Sequence, residues 1–199
     1  MKNIHKLAAI DIGSNAVRLL ITSIRINKSD TKFKKISLVR VPLRLGEDVF
    51  SNGKISDKKL KKLQKTLKAF KILMQMHEVY MFKAVATSAM REAENSTKII
   101  EDIFKKLSIK IDLISGKKEA LMIANVFLNS MENLANNYLY VDVGGGSTEL
   151  NLISKNKIVN SKSFKIGTVR TLNNITKDIS WHNFKNWIEN NSKLYKNIV

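Results

Sequence analysis

The feature that most constrains this chain is a short internal repeat. Residues 11–19 read DIGSNAVRL and residues 142–150 read DVGGGSTEL, so the second copy begins 131 residues after the first. In both copies an Asp ends an apolar run, and a glycine-containing turn leads directly into another apolar run. A repeat of this kind indicates one supersecondary unit used twice, so we expect two related domains, residues 1–131 and 132–199. A second copy as long as the first would extend beyond Val199, and we therefore expect the second domain to be incomplete.

The apolar patterning around both copies predicts an α/β fold. Turn-length gaps between the first three runs favour antiparallel hairpins. Apolar residues spaced by three and four then predict amphipathic helices that alternate with strands. The expected elements are strands at 6–12, 16–26, 34–45, 79–87 and 109–115, a loop at 46–54, helices from Ser56, Ser96 and Gly116, and renewed strands after 137, with a last one at 197–199. This order predicts a mixed sheet flanked by helices.

Composition excludes several classes of protein. The chain has no Cys, which excludes disulfide frameworks, thiolate metal sites and Cys nucleophiles. No apolar run approaches the roughly 20 residues of a membrane span, so we expect a cytoplasmic protein with no membrane contact. The formal net charge of +18 concentrates polyanions near the surface. Most lysines of the helix after Ser56 fall on its solvated face, so we do not expect nucleic acid as a partner.

The two glycine turns have the residue types that bind phosphate together with a divalent cation. Glycine lets successive backbone N–H groups turn toward an anion, and the preceding Asp can hold a cation against it. One such turn is weak support, because tight turns with glycine are common. Two turns, each preceded by Asp and each in one of two similar domains facing across a cleft, favour a phosphate ligand.

Five segments, in this order, carry a resemblance to a known family. AAIDIGSNAVRLLI, AVATSAMREAEN, ISGKKEA, VDVGGGSTEL and FKIGTVR resemble the exopolyphosphatase and guanosine pentaphosphate phosphohydrolase (Ppx/GppA) family over essentially the whole chain. The resemblance implies ribonuclease H-like domains of the actin-like ATPase superfamily. It also implies Mg²⁺ or another divalent cation, and release of terminal phosphate from a polyanionic substrate, inorganic polyphosphate or pppGpp.

The resemblance also implies roles for particular residues. Glu119 corresponds to the catalytic base, with Lys118 where the family has a second Glu. Asp142 and Glu149 are the further catalytic residues, and the metal ligands are Asp11, Asp142 and Glu149. Gly167 and Arg170 match a G-x-V-R element in which Thr171 replaces the usual Leu. The phosphate-binding residues implied are Gly13, Ser14, Asn15, Arg18, Arg91, Gly144, Gly145, Gly146, Ser147 and Thr148.

Other interpretations stay open at this point. Glu119 can be a residue of the first helical turn whose charge only stabilises the helix dipole. Arg91 can form a salt bridge with neighbouring Glu residues, and Glu149 can be a cross-strand partner in a hairpin. An ATP-dependent kinase or ATPase of the same superfamily is a second possible function. A non-catalytic or incomplete phosphate-binding module is a third. An incomplete second domain would leave apolar groups uncovered, which makes a homodimer possible.

Overall fold

The computed structural model describes residues 4–26, 31–130 and 137–192. They belong to two compact units, Met1–Leu113 and Ile114–Val199. Each unit has its own sheet and its own hydrophobic core. None of the described helices is both long enough and apolar enough to cross a membrane.

The first unit is built on a five-stranded mixed sheet. Its strands are β1 (Ile4–Ile12), β2 (Ala16–Ile26), β3 (Thr31–Pro42), β4 (Met81–Ala86) and β5 (Ile111–Leu113). They lie in the order β3-β2-β1-β4-β5, with β1, β2 and β3 antiparallel and β4 parallel to β1. Because β1 and β4 run in the same direction, their C-terminal ends meet at one edge of the sheet. That edge therefore brings the first glycine turn next to the segment that follows Ala86.

Helices cover one face of this sheet. They are α1 (Leu45–Asn52), α2 (Asp57–Met76), α3 (Ser88–Glu92) and α4 (Ser96–Leu107). As predicted, α2 starts after Ser56, whose Oγ accepts a hydrogen bond from Lys59 N at 3.4 Å. The core joins the buried face of the sheet to the apolar stripe of α2, and its fully buried members include Ile10, Leu19, Ile21, Leu63, Leu67 and Phe70.

Helix α1 corrects the prediction of a loop at 46–54. Leu45 and Val49 lie one turn apart and are both buried, which gives this short segment an apolar face. Gly53 ends the helix with φ 76°, and its N–H donates to Val49 O at 2.9 Å. Such a left-handed C-terminal residue is most often glycine. The polar residues between the two apolar positions concealed this helix in the sequence.

The second unit is a three-stranded antiparallel sheet with a helix on each face. Its elements are α5 (Gly116–Ser130), β6 (Tyr138–Val143), β7 (Thr148–Ser154), β8 (Lys157–Phe164), α6 (Thr168–Leu172) and α7 (Asp178–Ser192), with strand order β6-β7-β8. One face is apolar and packs Leu150, Leu152 and Phe164 against Trp187 of α7. The other face is more polar and is covered by α5, whose Phe127 ring contacts the ring of Tyr140.

The α/β class with a mixed sheet and flanking helices is confirmed. Helix α5 packs on β7 and β8 and so groups with the second unit, whereas the sequence interpretation placed residues up to 131 in the first domain. The expected boundary between residues 131 and 132 and the expected strand at 197–199 lie outside the described residues.

Candidate functional site

The first glycine turn is a tight connection between β1 and β2. Gly13 N donates to Ala16 O at 3.1 Å, and a Cβ built on Gly13 would lie 3.1 Å from the same oxygen. Asp11 and Arg18 are cross-strand partners just before and after the turn. Their side chains are partly exposed and form an ion pair, with Arg18 Nη1 3.6 Å from Asp11 Oδ2. The carboxylate of Asp11 is therefore partly neutralised by its own hairpin.

Ser14 fastens this turn to the rest of the first unit. Its buried Oγ lies 2.7 Å from Ser88 Oγ and accepts a hydrogen bond from Ala89 N at 3.1 Å. Its carbonyl oxygen accepts from Gly46 N at 2.8 Å. The Ser14 hydroxyl therefore bonds within the first unit, where it holds the turn against the start of α3.

Two further predicted residues lie near this turn. Asn15, partly exposed, is held through its carbonyl oxygen, which accepts from Arg44 N at 2.8 Å. Arg91 lies in the last turn of α3, the helix that begins at Ser88 beside Ser14. Its side chain is partly exposed. The first unit therefore places Arg91 on the short helix that begins beside the glycine turn.

A charged cluster secures the helices behind the turn. Lys59 Nζ, 16% exposed, lies 2.8 Å from Asp48 Oδ1 and 3.1 Å from Glu47 Oε2, and it also donates to Arg44 O. Burial raises the pKa of Asp48, but hydrogen bonds from Lys59 and Ser56 outweigh burial and hold that pKa below its ordinary value of 3.8. The cluster ties α2 to α1, the helix whose Gly46 holds the turn.

The second glycine turn reproduces the geometry of the first. Gly144 N donates to Ser147 O at 2.9 Å, and a Cβ on Gly144 would lie 3.1 Å from that oxygen. These positions are 131 residues beyond Gly13 and Ala16, the same offset as in the sequence repeat. Thr148 is buried, and its Oγ1 donates to Ile166 O at 2.7 Å. The repeat therefore encodes one turn that is built twice.

The carbonyl oxygens of the three glycines in this turn all accept hydrogen bonds from the start of α6. Thr168 N donates to Gly144 O at 3.0 Å, Val169 N donates to Gly145 O at 2.9 Å, and the buried Arg170 donates from Nε to Gly146 O at 2.7 Å. In a trans peptide the N–H points opposite to the C=O. The N–H groups of Gly145, Gly146 and Ser147 are therefore directed away from α6. Successive N–H groups on one side of a turn form an anion-binding concavity.

Two carboxylates lie side by side on the hairpin that carries this turn. Asp142 on β6 and Glu149 on β7 are directly opposite each other in the ladder, so their side chains emerge on the same face. Asp142 is partly exposed, whereas Glu149 is 1% exposed. Ser163 Oγ on β8 donates to Glu149 Oε1 at 2.7 Å. In the equivalent pair of the first unit, one of the two acidic positions is Arg18.

Glu119 lies in the first turn of α5, in the same unit as these carboxylates. Ser115 Oγ accepts from Lys118 N at 3.2 Å and so caps the helix. Glu119 Oε2 is buried, while the side chain of Lys118 is exposed. The helix that carries Glu119 lies on the same side of the sheet as Asp142 and Glu149.

The donor set of the second unit fits a magnesium ion. Mg²⁺ prefers oxygen ligands and is usually held by one or two carboxylates together with substrate phosphates. Asp142 and Glu149 supply two adjacent carboxylates. Among residues 4–26, 31–130 and 137–192, no three His, Asp or Glu side chains cluster as a complete protein cage would need. The arrangement suits a cation that shares its ligands with a phosphorylated substrate.

Sequence reasoning missed three contacts at these turns. It did not single out Ser88 or Ser163, and it gave Gly167 and Arg170 little weight. A Cβ on Gly167 would lie 2.5 Å from Gly145 O, so this glycine permits the close approach of α6 to the turn. The G-x-V-R motif was the signal for that contact, whereas no local pattern marked the two serines.

Several curated proteins are similar to this chain over part of their own length. It is 33% identical over 204 residues to a bifunctional 3-dehydroquinate synthase/phosphatase of Fusobacterium nucleatum, covering 96% of this chain and 31% of that protein. It is 26% identical over 175 residues to exopolyphosphatase 2 of Mycobacterium tuberculosis, covering 83% of this chain and 53% of that protein. The chain thus spans about a third to a half of the length of these relatives.

Solved structures and a family profile agree with these matches. An exopolyphosphatase from Cytophaga hutchinsonii superposes with a TM-score of 0.78 at 26% identity, covering 94% of this chain and 61% of the other. The Aquifex aeolicus member of the Ppx/GppA family gives 0.73 at 27% identity, covering 96% and 61%. Residues 24–191 match the profile of the Ppx/GppA phosphatase family. Because that profile spans most of the chain, from residue 24 to residue 191, this chain belongs to the Ppx/GppA phosphatase family.

Proposed function

We propose that this chain is a phosphohydrolase that releases terminal phosphate from a chain of phosphoric anhydrides, either inorganic polyphosphate or pppGpp. The observation that carries the proposal is the second glycine turn, whose three carbonyl oxygens bond to α6 and whose N–H groups face the other way. Membership of a phosphatase family and the exopolyphosphatases among its relatives support the reaction class. The net charge of +18 favours a polyanionic substrate.

In this proposal each glycine turn binds phosphate oxygens mainly through its backbone. The hydroxyls of Ser14 and Thr148 already bond within the protein, so the donors proposed for phosphate are chiefly the backbone N–H groups. Arg91 and Arg18 add positive charge in the first unit, where Arg18 also pairs with Asp11. Fixed donors of this kind stabilise charge that develops on a transferring phosphoryl group without reorganising during the reaction.

Asp142 and Glu149 are the residues proposed to hold a divalent cation. When bound, such a cation neutralises phosphate charge and polarises the phosphorus–oxygen bond. The protein's own contribution is the cross-strand register that sets the two carboxylates side by side. The buried position of Glu149 lowers the local dielectric and strengthens its attraction for a cation.

Glu119 is proposed to be the general base. Its carboxylate accepts a proton from a water molecule while the water oxygen attacks the terminal phosphorus, and the bond between that phosphorus and the bridging oxygen breaks. The capped first turn of α5 fixes the backbone from which Glu119 extends. Lys118 is exposed, so the substitution of the family's second Glu does not alter the buried side of the helix.

The test is phosphate release from long-chain polyphosphate, pppGpp and ATP with Mg²⁺, comparing wild type with Glu119→Gln. We expect release from polyphosphate or pppGpp, and a fall of about 10²- to 10⁴-fold in the variant, the range for loss of a general base. Glu189→Gln is the matched control, because Glu189 is an exposed glutamate in the same unit. Its activity should equal that of wild type.

Other outcomes favour the other candidate functions. Hydrolysis of ATP alone would favour an ATPase of the same superfamily. Saturable phosphate binding without release from any substrate would favour a non-catalytic binding module. Release that Glu119→Gln leaves unchanged would contradict the role of Glu119 but not the reaction class.

A further inference from the structure

The polar face of the second unit contains a hydrogen bond that the proposed reaction does not yet use. Ser163 Oγ donates to Glu149 Oε1 at 2.7 Å, and the two residues are directly opposite in the β7–β8 ladder. This is an ordinary distance for a hydroxyl donor, so Ser163 bonds directly to the Glu149 carboxylate. Glu149 is therefore flanked by Asp142 on one side and by a hydroxyl on the other.

A β-bulge decides which residue lies opposite Glu149. The hairpin starts with Ser154 opposite Lys157 and Ile153 opposite Ile158, a register that would continue to Lys162 opposite Glu149. The ladder instead shifts by one residue between Leu152 and Ile153, so that Ser163 takes that position. Because of the bulge, the hydroxyl of Ser163 lies opposite Glu149 in place of the ammonium group of Lys162. A Lys at this position would neutralise the carboxylate, whereas Ser orients it and leaves its charge available.

The next residue pair on the same face of this ladder, Asn151 and Ser161, provides an internal comparison. Ser161 Oγ donates to Oδ1 of the fully buried Asn151 at 2.7 Å. Within the described ranges, Nδ2 of Asn151 has no hydrogen-bond partner. Both serines are part-buried hydroxyls on one face of β8, and both bond to a buried side chain of β7. They differ in that only Ser163 bonds to a residue of the proposed site.

We propose that Ser163 is a positioning residue, which fixes the rotation of the Glu149 carboxylate beside Asp142. The terminal torsion of a Glu side chain is broad, so a buried carboxylate needs a partner to hold one orientation. Hydrogen bonds to residues that ligate metals orient them in this way, and their loss commonly costs ten- to a hundredfold in affinity or activity. The inference rests on the proposed function, in which Glu149 helps to hold a cation.

The experiment compares Ser163→Ala, Ser163→Thr and Ser161→Ala in the full chain. For Ser163→Ala we expect kcat for phosphate release to fall about ten- to a hundredfold with KM unchanged. Ser163→Thr keeps a hydroxyl and should recover most of that loss. Ser161→Ala removes an equivalent hydroxyl from the next pair on the same face and should keep the kcat of wild type. Equal effects of the two alanine variants on kcat would overturn the proposal.

Two further measurements separate this inference from the proposed function. Mn²⁺ binding without substrate, followed by electron paramagnetic resonance, should weaken about ten- to a hundredfold in Ser163→Ala and stay unchanged in Ser161→Ala. Crystal structures of both variants should show the Glu149 carboxylate rotated only in Ser163→Ala. If wild type releases no phosphate, the proposed function fails while these two readouts still decide the inference. An unmoved Glu149 carboxylate in Ser163→Ala overturns it in every case.

Discussion

Gly167→Ala is the most direct perturbation of the second glycine turn. A Cβ at this position would lie 2.5 Å from Gly145 O and 2.7 Å from Gly146 C. Ordinary contacts of a Cβ begin at 3.4 Å, so the difference requires the Gly145 carbonyl to move by about 0.9 Å. Gly167 has an extended backbone, φ −158°, which any residue adopts. The whole cost of the substitution therefore comes from collision with the turn.

That displacement has two measurable consequences. Overpacking against a backbone that is held by hydrogen bonds costs about 1–3 kcal/mol of unfolding free energy. A shift of about 1 Å in a group that positions substrate lowers the rate by about 10²-fold. The Gly145 carbonyl already accepts from Val169 N at 2.9 Å, so it cannot move without lengthening that bond. We expect both losses in Gly167→Ala.

The assay is urea unfolding followed by circular dichroism and by fluorescence of the buried Trp187, together with phosphate release. Gly46→Ala is the control for stability only, because its Cβ would also lie 3.1 Å from Ser14 Cβ in the first glycine turn; its nearest contact is Phe50 Cε2 at 2.6 Å. That atom is the far end of a side chain that can turn, and alanine is favoured over glycine in a helix. Gly46→Ala should therefore cost less than Gly167→Ala. Equal costs, or a fully stable and active Gly167→Ala, would refute the reasoning.

Two further predictions concern the first unit. Because the pKa of Asp48 in the folded protein lies below its ordinary value of 3.8, Asp48 stabilises the fold above that pH, and the contribution is lost as the pH falls through the folded pKa. The melting temperature of wild type should exceed that of Asp48→Asn at pH 7, and the gap should close as the solution is acidified toward pH 3. Ser14→Ala removes the buried partner of Ser88 Oγ and Ala89 N and should lower the unfolding free energy by about 1–3 kcal/mol. A loss of phosphate affinity without a loss of unfolding free energy would show that the Ser14 hydroxyl binds phosphate and does not only stabilise the fold.

Local patterns predicted much of this fold. The repeat located both hairpins, and the spacing of apolar residues located α2, α4 and α5. The spacing of apolar residues failed to predict α1, where only Leu45, Gly46 and Val49 are buried and the other residues are those of a polar loop. Helices of this length are marginal in themselves and form through tertiary packing. The local sequence therefore contains too little information to predict α1.

The contacts that shape the site were beyond prediction for a different reason. Ser14 meets Ser88 across 74 positions of the chain, and Arg170 meets Gly146 across 24. Such contacts depend on how strands are ordered and how helices pack, which periodicity does not report. Ser163 was concealed more specifically, since counting residues from the β7–β8 turn places Lys162 opposite Glu149. Only the bulge at Leu152 reveals the true partner.

The two copies of the hairpin share a turn but differ in charge. We expect this difference to give them different roles in the proposed reaction. Position by position, Asp11 and Arg18 of the first copy correspond to Asp142 and Glu149 of the second. The first pair is an ion pair at 3.6 Å and carries little net charge, whereas the second places two carboxylates together. Like charges side by side are unfavourable unless a cation lies near them. We therefore expect the second copy to supply the cation ligands. Asp11, which the resemblance implies as a third ligand, stays a prediction, and its carboxylate is already paired with Arg18 in the first copy.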